Sequence, residues 1–182
     1  MWSPDGSQIA FEGVIDDRLY DIWVMDADGT GLRNLTNTPD TGELSPSWSP
    51  DGRRILFAVG DLTSLEVMNS DGTGRVRLAG TDAYWGPSWS PDGARIAFLS
   101  LLNDRSRFFT MSADGSDPTP LTADYGWEYR IASWSPSSDR LALNRYADPS
   151  FEVYVINADG TGEVNITDND KSEYIGPQAW GP

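Results

Sequence analysis

A chain of 182 residues with 28 acidic against 13 basic side chains carries a net charge of −15, a field that repels nucleic acid and anionic lipid and attracts cationic peptides, amines or metal ions. It contains neither cysteine nor histidine, which removes disulfides, thiolate chemistry, the commonest general base, the commonest zinc ligand and every Ser-His-Asp arrangement. No apolar run approaches the ~18 residues of a membrane span, and Met1-Trp2 opens without a basic and then apolar leader, so neither membrane insertion nor targeting is expected.

The first element in chain order is also the recurring one. Trp-Ser-Pro-Asp-Gly begins at Trp2, Trp48 and Trp89, returns as Trp134-Ser-Pro-Ser-Ser138, and ends the chain as Trp180-Gly-Pro182, at intervals of 46, 41, 45 and 46 residues. A fixed period of ~40 to 50 residues marks a propeller or solenoid, one domain sharing a continuous core. Ser-Pro-Asp-Gly suits a type I turn: Ser accepts at the first position, Pro presets φ, and Gly relieves the exit. The motif is therefore read as structural punctuation with no catalytic role.

Repeat 1 (2–47) places a strand at Gln8 to Glu12, then Tyr20 to Asp26, in which Ile22 and Val24 face one way and Trp23 and Met25 the other. A sheet built on such a strand must be covered on both sides, and Trp23 is expected in the core. Asp26-Ala-Asp-Gly29 is a hairpin turn, Leu32 to Thr36 the returning strand, and Asn37 to Ser45 a loop leading to Pro46-Ser-Trp48. Repeats 2 (48–88), 3 (89–133) and 4 (134–179) restate this pattern, with turns at Ser70-Asp-Gly72, Ala113-Asp-Gly115 and Ala158-Asp-Gly160. Short strands, recurrent turn signals and no helical period predict an all-β chain. The repeat favours a β-propeller of four four-stranded antiparallel blades in a single domain, 1–182. Residues 176–182 have the composition of the strand missing before Trp2, and pairing them into the first blade would close the ring and protect its edge.

The units "WSPDG...IAF", "IWVMDADGTGLRNLT" and "PSWSPDG" resemble the repeats of the TolB-type β-propeller, over all four repeats. The resemblance implies the propeller fold, a non-enzymatic binding or scaffold role toward a protein or peptide, and a bacterial periplasmic or extracellular setting. Such blades also occur in prolyl-oligopeptidase-like propellers and in sugar-acting lyases, so fold does not assign activity. TolB-type propellers usually have six blades behind an α/β domain. Four repeats therefore leave three readings: a four-bladed ring, two chains self-associating into eight blades, or a structural propeller fragment, natural or engineered.

Chemistry-bearing candidates are few. Asp26, Asp28, Asp71, Asp114 and Asp159 lack the spacing of a calcium loop and read as turn residues. Asp168-Asn-Asp170 with Glu173 is a slightly better cation candidate, although a solvated loop is the favoured reading; no cofactor is expected, and a structural cation such as calcium stays an alternative. No G-x-S-x-G elbow is present, and the lyases' expected metal-binding histidines are missing. A carbohydrate-binding or carbohydrate-active propeller using an unnamed carboxylate pair remains the alternative to protein binding. The distinctive stretches are the loops entering each inner strand: Tyr84 and Trp85, then Tyr125, Trp127, Glu128, Tyr129 and Arg130, then Tyr174. At a channel mouth these aromatic and charged side chains would suit a peptide, a cationic protein anchor or a sugar ring. Packing between blades is the competing role for the same rings.

Overall fold

The computed structural model describes residues 1–14, 19–60, 64–78, 85–102, 105–122, 129–147, 150–167 and 180. Its regular elements are all strands, and two compact units divide the chain at Trp89 and Ser90. The first unit holds β1 (Gln8–Val14), β2 (Tyr20–Asp26), β3 (Arg33–Asn34), β4 (Glu43–Trp48), β5 (Arg54–Val59), β6 (Ser64–Asn69), β7 (Val76–Arg77) and β8 (Trp85–Trp89). The second holds β9 (Arg95–Leu102), β10 (Arg105–Ser112), β11 (Thr119–Pro120), β12 (Tyr129–Trp134), β13 (Arg140–Ala147), β14 (Ser150–Asn157) and β15 (Val164–Asn165). Four sheets follow in chain order, β1–β3, β4–β7, β8–β11 and β12–β15, each a meander with antiparallel neighbours. This is the all-β blade architecture expected from the repeat. The first sheet has three strands, and its fourth is reduced to one bridge, Trp2 to Ile9, matching the Trp48 to Ile55 pairing of the second. Of the expected closing strand at 176–182, only Trp180 falls among the described residues.

The repeated turn explains its own residues. Ser3, Ser49 and Ser90 each accept through Oγ the backbone N–H five residues on, and each donates its hydroxyl to the aspartate two residues on, Asp5, Asp51 or Asp92. The aspartates also accept the N–H two residues further. In the fourth repeat, which lacks Asp and Gly at these places, Asp139 supplies the carboxylate from two positions on, taking the hydroxyls of Ser135 and Ser137. Ser138 occupies the glycine position with φ 62°, beside 71°, 70° and 71° at Gly6, Gly52 and Gly93. Its buried Oγ accepts the Asp92 N–H at 3.0 Å, a contact that offsets a backbone conformation costly for a side chain.

The outer strands are shorter than the sequence pattern predicts, two residues each rather than three to five. In three of the four a threonine hydroxyl replaces the ladder where the strand stops. The N–H groups of Ile22, Phe108 and Val153 donate to Oγ1 of Thr36, Thr122 and Thr167 instead of to a backbone carbonyl. A side-chain acceptor satisfies the buried donor and ends the strand together.

Neighbouring blades interlock face to face within each unit. In the first, Ala10, Ile22 and Val24 on one sheet meet Trp48, Ile55, Phe57 and Met68 on the next; in the second, Ala97, Leu99 and Phe108 meet Trp134, Leu141, Leu143 and Ile156. Full burial of side chains such as Ile55, Phe57 and Met68 stabilises by roughly 1.5–3 kcal/mol each. The motif tryptophans belong to these joints. Trp48 Nε1 donates to Met1 O at 3.2 Å and Trp180 Nε1 to Ser133 O at 2.9 Å, in each case the carbonyl just before the preceding repeat's tryptophan. Arg54 lies 4.7 Å over the Trp89 ring and Arg95 5.5 Å over that of Trp134, so an arginine after one turn caps the next repeat's indole. Trp23 departs from the expected core position. It is half-buried, because it lies on the face of β2 opposite Ile22 and Val24 and so turns away from the joint.

Candidate functional site

A cleft of about 520 Å³ opens in the first unit where the chain enters β4, lined by Leu19, Tyr20, Asp40, Thr41, Gly42, Leu44 and Gly60. Three segments build it: the start of β2, the loop before β4 with the first residues of that strand, and the residue that follows β5. Gly60 N donates to Gly42 O at 2.8 Å, which ties the last two together. The loops approach closely at Gly42, where an added Cβ would stand 3.4 Å from Leu19 Cβ and 3.5 Å from Tyr20 N. A side chain there would meet the cleft wall.

Two buried carboxylates hold the loop from opposite sides. Asp21 accepts from Asn34 Nδ2 at 2.8 Å, Thr36 Oγ1 at 3.1 Å and Thr38 N at 3.2 Å, while Glu43 Oε1 accepts from Thr38 Oγ1 at 2.6 Å. Glu43 is 0% exposed and its charge is met by Arg75 Nη2 at 3.0 Å; the Arg75 Nε pairs with Glu66. Burial works against the Arg75 charge, but the hydrogen bonds and charges of Glu66 and Glu43 outweigh it and raise its pKa. Glu43 Oε2 is buried without a hydrogen-bond partner. These acids act as acceptors that shape the wall. The groups facing outward are Tyr20 and Leu19, each 49% exposed, and the exposed carboxyl of Asp40. An aromatic ring, an aliphatic side chain and a carboxylate at one rim are equipped to hold a ligand with apolar and cationic parts.

Strand β4 itself carries a left-handed residue. Ser45 has φ 56° within a register shift between Leu44 and Ser47, and Gly86 in β8 has φ 57° at the corresponding place. Glu12 Oε1 accepts the Ser45 N–H at 2.6 Å. A carboxylate thus rewards the strained backbone of a serine where the next repeat uses glycine.

The sequence-nominated site residues lie at the same repeat position as this cleft, in later repeats. Tyr84, Tyr125, Trp127, Glu128 and Tyr174 lie outside the described residues, as do Asp168, Asp170 and Glu173. Trp85 opens β8, and Tyr129 and Arg130 open β12, as Glu43 opens β4. Sequence reasoning missed Tyr20, Asp40 and Glu43 because the loop before β4 lacks aromatic residues; an acid directly before the Leu-Ser-Pro-Ser-Trp48 strand was the available signal. Among the described residues no group of three or more acids could hold a metal ion. The turn aspartates Asp28, Asp71, Asp114 and Asp159 each accept the N–H and hydroxyl of Thr30, Thr73, Ser116 and Thr161, two residues on, which bears out their reading as turn residues.

No family profile matches the chain. Part of it, 48 residues or 26% of its length, is 50% identical to the Tol-Pal system protein TolB of Anaeromyxobacter dehalogenans, covering 11% of that protein. Across 90% of the chain the fold superposes on a TolB-type protein of Agrobacterium tumefaciens with a TM-score of 0.76 at 23% identity, and across 94% on TolB of Acinetobacter baumannii with 0.75 at 20%. The blades are of the TolB type. The chain spans 62% and 44% of those two solved chains, and only about a tenth of the curated TolB. The chain also superposes on an oligogalacturonate lyase from Vibrio parahaemolyticus, TM-score 0.76 at 13% identity, over 92% of this chain and 51% of that one. One fold thus carries differently named proteins, and activity must be argued from the site. No helix among the described residues is long and apolar enough to cross a membrane.

Proposed function

We propose that the chain is a non-enzymatic binding and scaffold module that takes a protein or peptide with basic and apolar side chains at the loop end of its blades. The observation that carries this reading is the cleft rimmed by Tyr20, Leu19 and Asp40 in a chain of net charge −15. The TolB likeness favours a protein partner and a bacterial periplasmic or extracellular setting. The equivalent loops of later repeats, with Trp85 in the first unit and Trp127, Glu128 and Tyr174 in the second, are each proposed as a further contact set in its own right. Neither histidine nor cysteine is available for catalysis, and the buried acids Asp21 and Glu43 are engaged as acceptors, which favours binding over turnover.

Calorimetric titration with synthetic peptides that pair Lys or Arg with aromatic residues tests the reading. Binding should weaken ~10-fold, about 1.4 kcal/mol, in each of Tyr20→Ala and Trp127→Ala, and weaken with salt. If no peptide binds, or if both variants bind as the parent does, the site assignment is wrong.

A further inference from the structure

In the second and third repeats an arginine six residues beyond the motif tryptophan reaches across to the following repeat. Arg54 lies over the Trp89 ring and Arg95 over that of Trp134. Arg95 also donates through Nη2 to Ser138 O at 2.9 Å and through Nη1 to Ala158 O at 3.3 Å. A guanidinium between two consecutive turns thus covers an indole and ties two backbone carbonyls of the later repeat.

The first repeat has no such arginine. Gln8 takes the place, and its shorter side chain turns back to its own hairpin, Nε2 donating to Asp26 Oδ1 at 3.1 Å. At this joint a cavity of about 360 Å³ opens between the turns of repeats 1 and 2, its lining including Pro4, Asp5, Gln8, Trp48, Asp51 and Gly52. Both repeats belong to the first unit. The acceptors that Arg95 uses have counterparts here. Gly52, with φ 70°, stands where Ser138 has φ 62°, and Ser70 donates its N–H to Arg53 O as Ala158 does to Asp139 O. The carboxylates of Asp5 and Asp51 add negative charge from either turn, both held below the ordinary carboxylate pKa, chiefly by the hydroxyls of Ser3 and Ser49. Arg53 and Arg54 act on Asp51, but Arg54 extends toward Trp89 and the next joint.

We propose that this cavity is a binding site for a guanidinium group supplied from outside the chain, lying against Trp48 between Asp5 and Asp51. The molecule itself puts a guanidinium against the motif indole in the two following repeats, beside the same turn. A planar group with several fixed donors can meet the Gly52 and Ser70 carbonyls while facing both carboxylates, which an ammonium, a compact point charge, does less well. The site lies at the opposite end of β4 from the cleft that Leu44 lines, and it stands whether or not that cleft binds a peptide.

NMR titration of the full chain with N-acetyl-arginine amide, read at the Trp48 indole N–H and assigned through Trp48→Phe, tests the site. A saturable shift with a dissociation constant on the order of 1 mM is expected, at least ~10-fold tighter than for the uncharged isostere N-acetyl-citrulline amide or for N-acetyl-lysine amide. Asp5→Asn should weaken binding ~3-fold or more. Gln8→Arg with Asp26→Asn rebuilds the Arg54 and Asn69 pair of repeat 2 and should fill the cavity from within. That double variant should lose the ligand-induced shift while unfolding at no lower urea concentration than the parent. Methylguanidinium that binds as tightly as an acetylated Gly-Arg-Gly amide assigns the site to small guanidine compounds, and tighter peptide binding assigns it to an arginine of a protein partner. The proposal is overturned if arginine amide gives no saturable shift, if citrulline or lysine amide binds equally, or if Asp5→Asn and the double variant both bind as the parent does.

Discussion

Gly29 and Gly72 sit at the same place in consecutive repeats, with φ 86° and 90°, and differ in what stands beside them. Alanine at either position imposes a left-handed backbone on an L-residue, at a cost of roughly 1–2 kcal/mol. At Gly29 that is the whole penalty in the monomer, since no atom lies within 4 Å of the new methyl. At Gly72 the methyl would meet Leu35 O at 3.1 Å and Leu35 Cβ and Cδ2 at 3.4 Å, so the blades must part or the turn must shift. Such overpacking costs a further ~1–3 kcal/mol. Urea denaturation of the two variants at a concentration below any self-association therefore yields an internal comparison in which the backbone strain cancels. Gly72→Ala should lose about 2–5 kcal/mol and Gly29→Ala about 1–2 kcal/mol. Equal losses would refute the claim that this glycine is required by contact between blades and would assign it to turn conformation alone.

Two further outcomes are expected. The turn aspartates Asp5, Asp28, Asp51, Asp71, Asp92, Asp114, Asp139 and Asp159 are all held below the ordinary carboxylate pKa, chiefly by hydrogen bonds from Ser or Thr hydroxyls, with Asp5 at about 2. A folded pKa below the unfolded one stabilises above the unfolded value, so the urea midpoint should fall as pH drops from ~4 toward 2, and Asp5→Asn should show a shallower fall; a midpoint unchanged over that window would contradict the assignment. Arg75→Met removes the cation beside Glu43 and strands a fully buried carboxylate, which should cost roughly 3–5 kcal/mol, reduced somewhat by the partial exposure of Arg75. The double variant Arg75→Met with Glu43→Gln should recover part of that loss in the same denaturation assay, and no recovery would separate the effect from the ion pair.

The turn network was legible in the one-dimensional pattern because its contacts are local: Ser to the aspartate two residues on, and the aspartate to the N–H two beyond that. The substitution of Asp139 for a missing partner was less legible, since the spacing changes while the chemistry persists. Trp23 was misread as core because alternation says which residues share a face and not which face is covered. The outer strands were overextended because Leu-Thr reads as strand, although the threonine hydroxyl of Thr36 or Thr167 is what ends the pairing. Aromatic composition drew attention to Tyr84, Trp85 and Trp127 and away from Tyr20 and Asp40, which line a cleft although their own loop has no aromatic run to mark it.

Sequence alone determined the all-β class, the repeating blade pattern and the turn chemistry, since period and local hydrogen bonding depend on residues close together in the chain. Tertiary structure alone decided that Arg54 and Arg95 cap the next repeat's tryptophans, that Glu43 is buried against Arg75, and that Gly72 is covered while Gly29 is open. Those facts join residues some 30 to 40 positions apart, and burial of a face depends on what the chain brings against it, which no local pattern encodes.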